Sequence, residues 1–152
     1  MDTKKMPPEE KVYEAWTAIV DGRVELHEDY ATMTSSDGAK GYTIRWDGNM
    51  YVSDDNATYW RGYPGYPVLA VLMLQGKLPF DRLEAEKWKE VNWKAVNTKY
   101  KNNYAAAVKE VAAERHIDMA SAEKAAAEVM TALESLDIVI KRSLPNRPVS
   151  HL

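Results

Sequence analysis

The chain has 152 residues, 45% of them hydrophobic, and a net charge of −3: enough for one core of ordinary size, and too near neutrality for nucleic-acid binding by the whole molecule. It contains no cysteine, which excludes disulfides, thiolate metal sites and cysteine nucleophiles together. Acidic residues outnumber basic ones 12 to 7 over residues 1–64 and basic ones lead 13 to 11 over residues 65–152, so any phosphate contact has to come from a local grouping of cations.

The opening "MDTKKMPPEEK" has no apolar signal core, and the longest apolar run, Val68 to Leu74, is too short to span a bilayer. A cytoplasmic protein without membrane contact is expected. "PPEEKVYEAWTAIVDG" predicts a helix, with prolines in the first turn, glutamates at its positive end and Asp21-Gly22 as its stop. Val12, Ala15, Trp16, Ile19 and Val20 recur at spacings of three and four, a face that a sheet is expected to cover.

Residues 23–55 alternate apolar and polar positions around two turn signals, Asp37-Gly38 and Asp47-Gly48. A three-stranded antiparallel meander follows, with Tyr42, Ile44, Trp46 and Tyr51 on one face. Pro67 then opens a short helix through "VLAVLMLQ", ended by Gly76, and Asp81 with Glu84 has the spacing of a capping box. A long helix is predicted from about Arg82, with a break at Asn102-Asn103, and another from about Met119 to Lys141 with Val129, Leu133, Leu136 and Ile140 on one stripe. The chain thus reads as α+β: an N-terminal helix, a three-stranded meander, a short helix and a helical C-terminal half. Its expected parts are an α+β module over 1–80, a helical extension over 81–142 packed on it, and a flexible tail over 143–152.

The stretch "SDDNATYWRGYPGYPVLAVL", residues 53–72, runs from a hairpin exit through a Gly/Pro loop into an apolar helix. It resembles the SWIM zinc finger, in which a Cys-x-Cys pair closes the hairpin and a Cys-x-His pair begins the helix. Aligning Arg61, Gly62, Pro64 and "VLAVL" with that motif puts the four ligand positions at Ser53, Asp55, Gly65 and Pro67. The words "DGRVEL" and "GYTIRWDGNMY" are similar to the family's lead-in strands, so the resemblance covers roughly residues 8–78. All four ligands are replaced. Only Asp55, with Asp54 beside it, offers a donor, short of the four a zinc tetrahedron takes, and no metal or other cofactor is expected. A structural zinc contributes on the order of 10 kcal/mol to folding. In its place the rings of Tyr59, Trp60, Tyr63 and Tyr66 are expected to hold the loop as core. The acidic "SDDN" lacks the regular spacing of a calcium loop and reads as a solvated turn.

A second grouping lies in "EKWKEVNWKAVNTKYKNNY", residues 86–104, where five lysines face one glutamate between Lys87 and Lys101. On one continuous helix Lys87, Lys94 and Lys101 form a longitudinal stripe, flanked by Trp93, Tyr100 and Tyr104. Ammonium groups on successive phosphates and rings on bases would make such a face a nucleic-acid contact. The structural alternative is a solvated lysine face on an amphipathic helix whose rings are core.

No recognisable catalytic motif includes His27, His116 or His151, and there is no phosphate-cradling glycine loop or nucleophile elbow. His27 can pair with Glu25 on its own strand face. The expected function is non-enzymatic: a metal-free SWIM-like domain contacting nucleic acid or a protein partner through Tyr59, Trp60, Arg61 and Tyr63 and through the basic-aromatic helix. SWIM domains are associated with DNA or protein binding, and the resemblance implies the same here. The alternatives are a protein interaction or homodimer through the C-terminal helices, and an enzyme with a pocket among Trp46, Trp60 and Tyr63.

Overall fold

The computed structural model describes residues 5–144. Six α-helices and a five-stranded sheet make an α+β fold. Helix α1 spans Lys11–Val20, and strands β1 (Val24–Leu26), β2 (Tyr30–Thr34), β3 (Gly41–Asp47) and β4 (Met50–Ser53) follow as an antiparallel meander. A π-helical turn, Ala57–Arg61, leads into α2 (Tyr66–Leu74). Then come α3 (Arg82–Glu86), α4 (Trp93–Lys99), α5 (Tyr104–Arg115), α6 (Met119–Ser135) and a last strand, β5 (Val139–Ile140). Strand β5 lies parallel to β4, so the sheet order is β1-β2-β3-β4-β5.

Both Asp-Gly signals make turns, with Gly38 at φ +74° and Gly48 at φ +59°, the left-handed conformation that glycine tolerates without steric cost. The second closes β3 onto β4 with Gly48 and Asn49 between the paired Asp47 and Met50. That register sets Trp46 opposite Tyr51, their rings 6.0 Å apart, on the face that also buries Ile44. The meander has four strands rather than the expected three, because β1 is only three residues long and "VEL" carries little periodic signal.

The sheet is covered by α2, and α1 packs on α2, α3 and α6. The expectation that α1 itself covers the sheet is thereby corrected. Helix α2, "YPVLAVLML", has no polar face because it is buried from Pro67 to Met73 between the sheet and α1. Helix α1 is buried over Lys11–Ile19, with charged Lys11 and Glu14 included.

The long helix predicted from Arg82 is three helices, α3, α4 and α5. Asn92 accepts from the Ala95 amide at 3.1 Å and Asn103 from the Ala106 amide at 3.2 Å, each capping a new helix in the middle of the expected one. At the two junctions Glu90, before α4, and Lys101 and Asn102, before α5, take positive φ, which no continuous helix allows. Asparagine competes with the backbone for its own hydrogen bonds and so favours caps over helix interiors. Asp81 and Asp118 cap α3 and α6 in the same way, at 3.1 Å each.

One core joins both halves of the chain, running from Val12 and Trp16 through Ile44, Leu69 and Trp88 to Val129 and Leu133. Thr17 is its polar pin: its hydroxyl donates to the Trp88 carbonyl at 2.7 Å and accepts from Trp93 Nε1 at 2.9 Å. Helix α6 ends at Ser135, before the Lys141 expected, and Ile140 of the predicted stripe belongs to β5. The expected tail lies outside the described residues from residue 145 on.

Candidate functional site

The exit of β4 carries a knot of polar contacts at the positions singled out in the sequence. Ser53 Oγ donates to Asp55 Oδ1, the Thr58 amide donates to Asp55 Oδ2 at 3.1 Å, and the Gly65 amide donates to Thr58 Oγ1 at 2.9 Å. Ser53, Asp55, Gly65 and Pro67 are all buried, Asp55 with 5% of its surface exposed. A buried polar side chain has to find its hydrogen bonds within the protein, and Asp55 finds them in Ser53 and Thr58. The knot ties the hairpin to the start of α2, and no room remains on Gly65 for a side chain.

Between these ends the backbone makes the π-helical turn, a wider, underwound turn often found at functional sites. It closes at Gly62, φ +75°, and projects Trp60 and Arg61 outward. Trp60 is 66% exposed, so the expectation that it is part of a replacement core is corrected; Tyr63 is the buried ring of that loop. Arg142 clasps the turn, its Nε donating to the Tyr59 carbonyl at 3.0 Å and its guanidinium lying 5.3 Å and 5.5 Å from the Tyr59 and Trp60 rings.

Beside the knot opens a cleft of about 290 Å³. Its floor is the buried pair of Lys11 and Glu14, 2.9 Å apart, with Asn97 Nδ2 donating to Glu14 at 3.4 Å. Tyr42, Tyr63, Tyr66 and Tyr104 line the walls, Lys11 Nζ standing 4.0 Å over the Tyr104 ring. At the rim are Lys40 from the β2–β3 turn, Arg61 from the π-helical turn and Lys94 from α4. All three are exposed, and none has a carboxylate partner among the described residues. Helix α4 is held at this rim by its own bonds, since the Lys94 amide donates to Ser36 Oγ at 3.0 Å.

Burial raises the Glu14 carboxyl above the usual glutamate range, with Lys11 pulling the other way. At Lys11 burial acts to lower the ammonium, but the charge and hydrogen bond of Glu14 outweigh it and hold it up. Burial likewise raises the phenols of Tyr42, Tyr63 and Tyr66, so each remains a protonated donor at neutral pH.

Of the residues expected to form a binding face, the cleft brings together Arg61, Tyr63, Lys94 and Tyr104. The stripe of Lys87, Lys94 and Lys101 does not exist: Lys87 caps the end of α3, Lys94 lies in α4 and Lys101 sits in the turn before α5. Lys87 is also paired with Glu84 at 3.0 Å. Trp93, 2% exposed with its indole nitrogen bonded to Thr17, is core and offers no ring to a partner. Tyr100 turns instead to Glu110, donating at 3.1 Å. His27 pairs with Glu25 at 3.1 Å, as its strand face predicts, and stacks on Tyr30. Trp46 lines a separate, larger and more open depression of about 860 Å³ on the sheet, apart from Tyr63. The sequence reading missed Lys11, Glu14 and Lys40. The i,i+3 spacing of Lys11 and Glu14 is a signal of pairing, but nothing local tells that Asn97 of α4 closes on one side of it.

Residues 4–139 match the family described as uncharacterised conserved protein UCP014422, which is most of the chain. The chain belongs to this family. No curated protein and no solved structure matches it. The family match covers the knot, the π-helical turn and every residue of the cleft. Among the described residues no three His, Asp or Glu side chains are placed to share a metal ion, and no helix is long and apolar enough to cross a membrane.

Proposed function

We propose that this member of the family is a non-enzymatic binding protein that takes a phosphate-bearing partner, nucleic acid, in the cleft between the π-helical turn and α4. The observation that carries this reading is the convergence of Lys40, Arg61 and Lys94 from three separate elements of an acidic chain, none of them in a close ion pair among the described residues, although the charge of Lys94 also acts on Asp37. Cations without carboxylate partners raise the local potential where they cluster, and phosphate oxygens are the ligands that answer it. The loop of residues 59–66 and the basic segment after Trp88 supply the two sides, though with fewer residues than the sequence suggested.

The proposal keeps the SWIM-like character of residues 8–78 as a metal-free variant. Its support is the meeting of Ser53, Asp55 and Gly65 in one buried knot bridged by Thr58. These residues do not fit a zinc ion: they offer one hydroxyl and one carboxylate, and Gly65 and Pro67 offer nothing. A hydrogen-bonded carboxylate does the joining.

A protein partner is the second reading, favoured by the exposed Trp60 ring beside the cleft loop. The C-terminal helices support it less, because α6 buries Ala122, Ala125, Ala126, Val129 and Leu133 inside its own chain. The deciding experiment is fluorescence anisotropy of labelled DNA and RNA at 50 and 200 mM salt. Three phosphate contacts predict about a twentyfold loss of affinity over that range. Replacing Lys40, Arg61 and Lys94 together by glutamine is expected to abolish the salt-dependent part, and wild-type binding by that variant removes the cleft from the proposal.

A further inference from the structure

Resting on the nucleic-acid reading just given, we infer that the cleft seats one unpaired nucleotide of a single strand, with its phosphate at the Lys40, Arg61 and Lys94 rim and its base edge on the floor. Shape comes first. A duplex is read by a convex helix or ribbon entering a groove, whereas this site is concave, and its volume of about 290 Å³ is at the lower end of pockets that hold one small molecule. The floor has the chemistry of a base reader. Glu14 is fixed by Lys11 and Asn97 with 8% of its side chain exposed; a carboxylate has about four lone-pair sites, so the edge that borders the cleft can still accept one hydrogen bond from an exocyclic amine. The phenols of Tyr42, Tyr63 and Tyr66 add donors beside it. Base edges of that kind are free only when the nucleotide is unpaired. The charges are also sorted by depth. The floor cation Lys11 is neutralised by Glu14, and the unpaired cations stand at the mouth, where a backbone phosphate would remain when the base is inside.

The experiment is anisotropy titration at about 50 mM salt with a labelled single-stranded oligonucleotide and the blunt duplex of the same sequence, followed by competition with a nucleoside monophosphate and with inorganic phosphate. The single strand is expected to bind at least about tenfold more tightly than the duplex, and the monophosphate to displace it at lower concentration than inorganic phosphate. Asn97→Ala, which frees Glu14 on one side, is expected to narrow that gap between the two competitors, with circular dichroism confirming the fold. Equal affinity for duplex and single strand overturns the unpaired seat and leaves the nucleic-acid proposal standing. Equal competition by inorganic phosphate overturns the base-reading floor. Binding of neither oligonucleotide overturns both proposals together.

Discussion

A Cβ atom added to Gly65 would overlap Asp55 Oδ2, so the buried Asp55 side chain occupies the space that a side chain at residue 65 would need. Gly65→Ala must therefore push Asp55 out of its bonds with Ser53 and Thr58. A loss of about 2 kcal/mol is expected by urea denaturation, as in other overpacked sites. Combined with Asp55→Ala the added cost of the methyl should largely vanish, and strict additivity of the two changes would disprove the steric account.

Thr17 joins α1 to the segment carrying Trp88 and Trp93, so Thr17→Val leaves a buried indole N–H and a buried carbonyl without partners. Each such group costs about 1–3 kcal/mol, and a total near 3 kcal/mol is expected from the denaturation midpoint. A change below about 1 kcal/mol would show that both groups find other partners.

Burial holds the Glu14 proton more tightly in the folded chain than in the unfolded one. The stability this group contributes is therefore fully present below about pH 4.3, the usual glutamate value, and is lost as pH rises through the raised folded value. Glu9, raised chiefly by burial and then by Glu10 and Glu123, acts in the same direction. Glu14→Gln is expected to flatten the decline of stability as pH rises above about 4.3. Parallel curves for the variant and the parent chain would rule out Glu14 as its source.

Restoring the zinc-finger ligands tests the resemblance directly. The variant with Ser53→Cys, Asp55→Cys, Gly65→Cys and Pro67→His is expected to take up one equivalent of Zn²⁺ and to gain thermal stability from it. Absence of stoichiometric uptake by a folded variant would mean that the four positions do not converge as ligands.

Arg142 holds the π-helical turn from outside. Arg142→Ala should raise amide exchange over residues 57–61 while moving global stability by less than about 1 kcal/mol, the size of an exposed cation–π contact. Unchanged exchange would show that the knot alone fixes the turn.

Much of the fold is legible in the residues. Asp37-Gly38 and Asp47-Gly48 announce their turns because only a few residue types tolerate positive φ, and Asp81 with Glu84 announces a helix start. The three-way split after Arg82 is hidden because Asn92 and Asn103 sit in apolar patterning that a continuous helix satisfies equally well; local capping outweighs the period. Half of the cleft is legible for a related reason. Arg61, Tyr63, Lys94 and Tyr104 stand out by composition, whereas Lys40 and Glu14 enter the site only through tertiary packing. The seven-residue spacing of the lysines misleads because a stripe presumes the helix that the asparagines interrupt.

Strand β5 has a consequence for how the chain is made. Met50 pairs with Val139, so one long edge of β4 stays without its neighbour until nearly all the described residues have left the ribosome. Pairings this distant in sequence form slowly, and an open edge is a template for another chain's strand. In the finished sheet the edges are β1 and β5, of three and two residues, so the strand that arrives last replaces the edge of β4 with one too short to offer another chain much backbone to pair with.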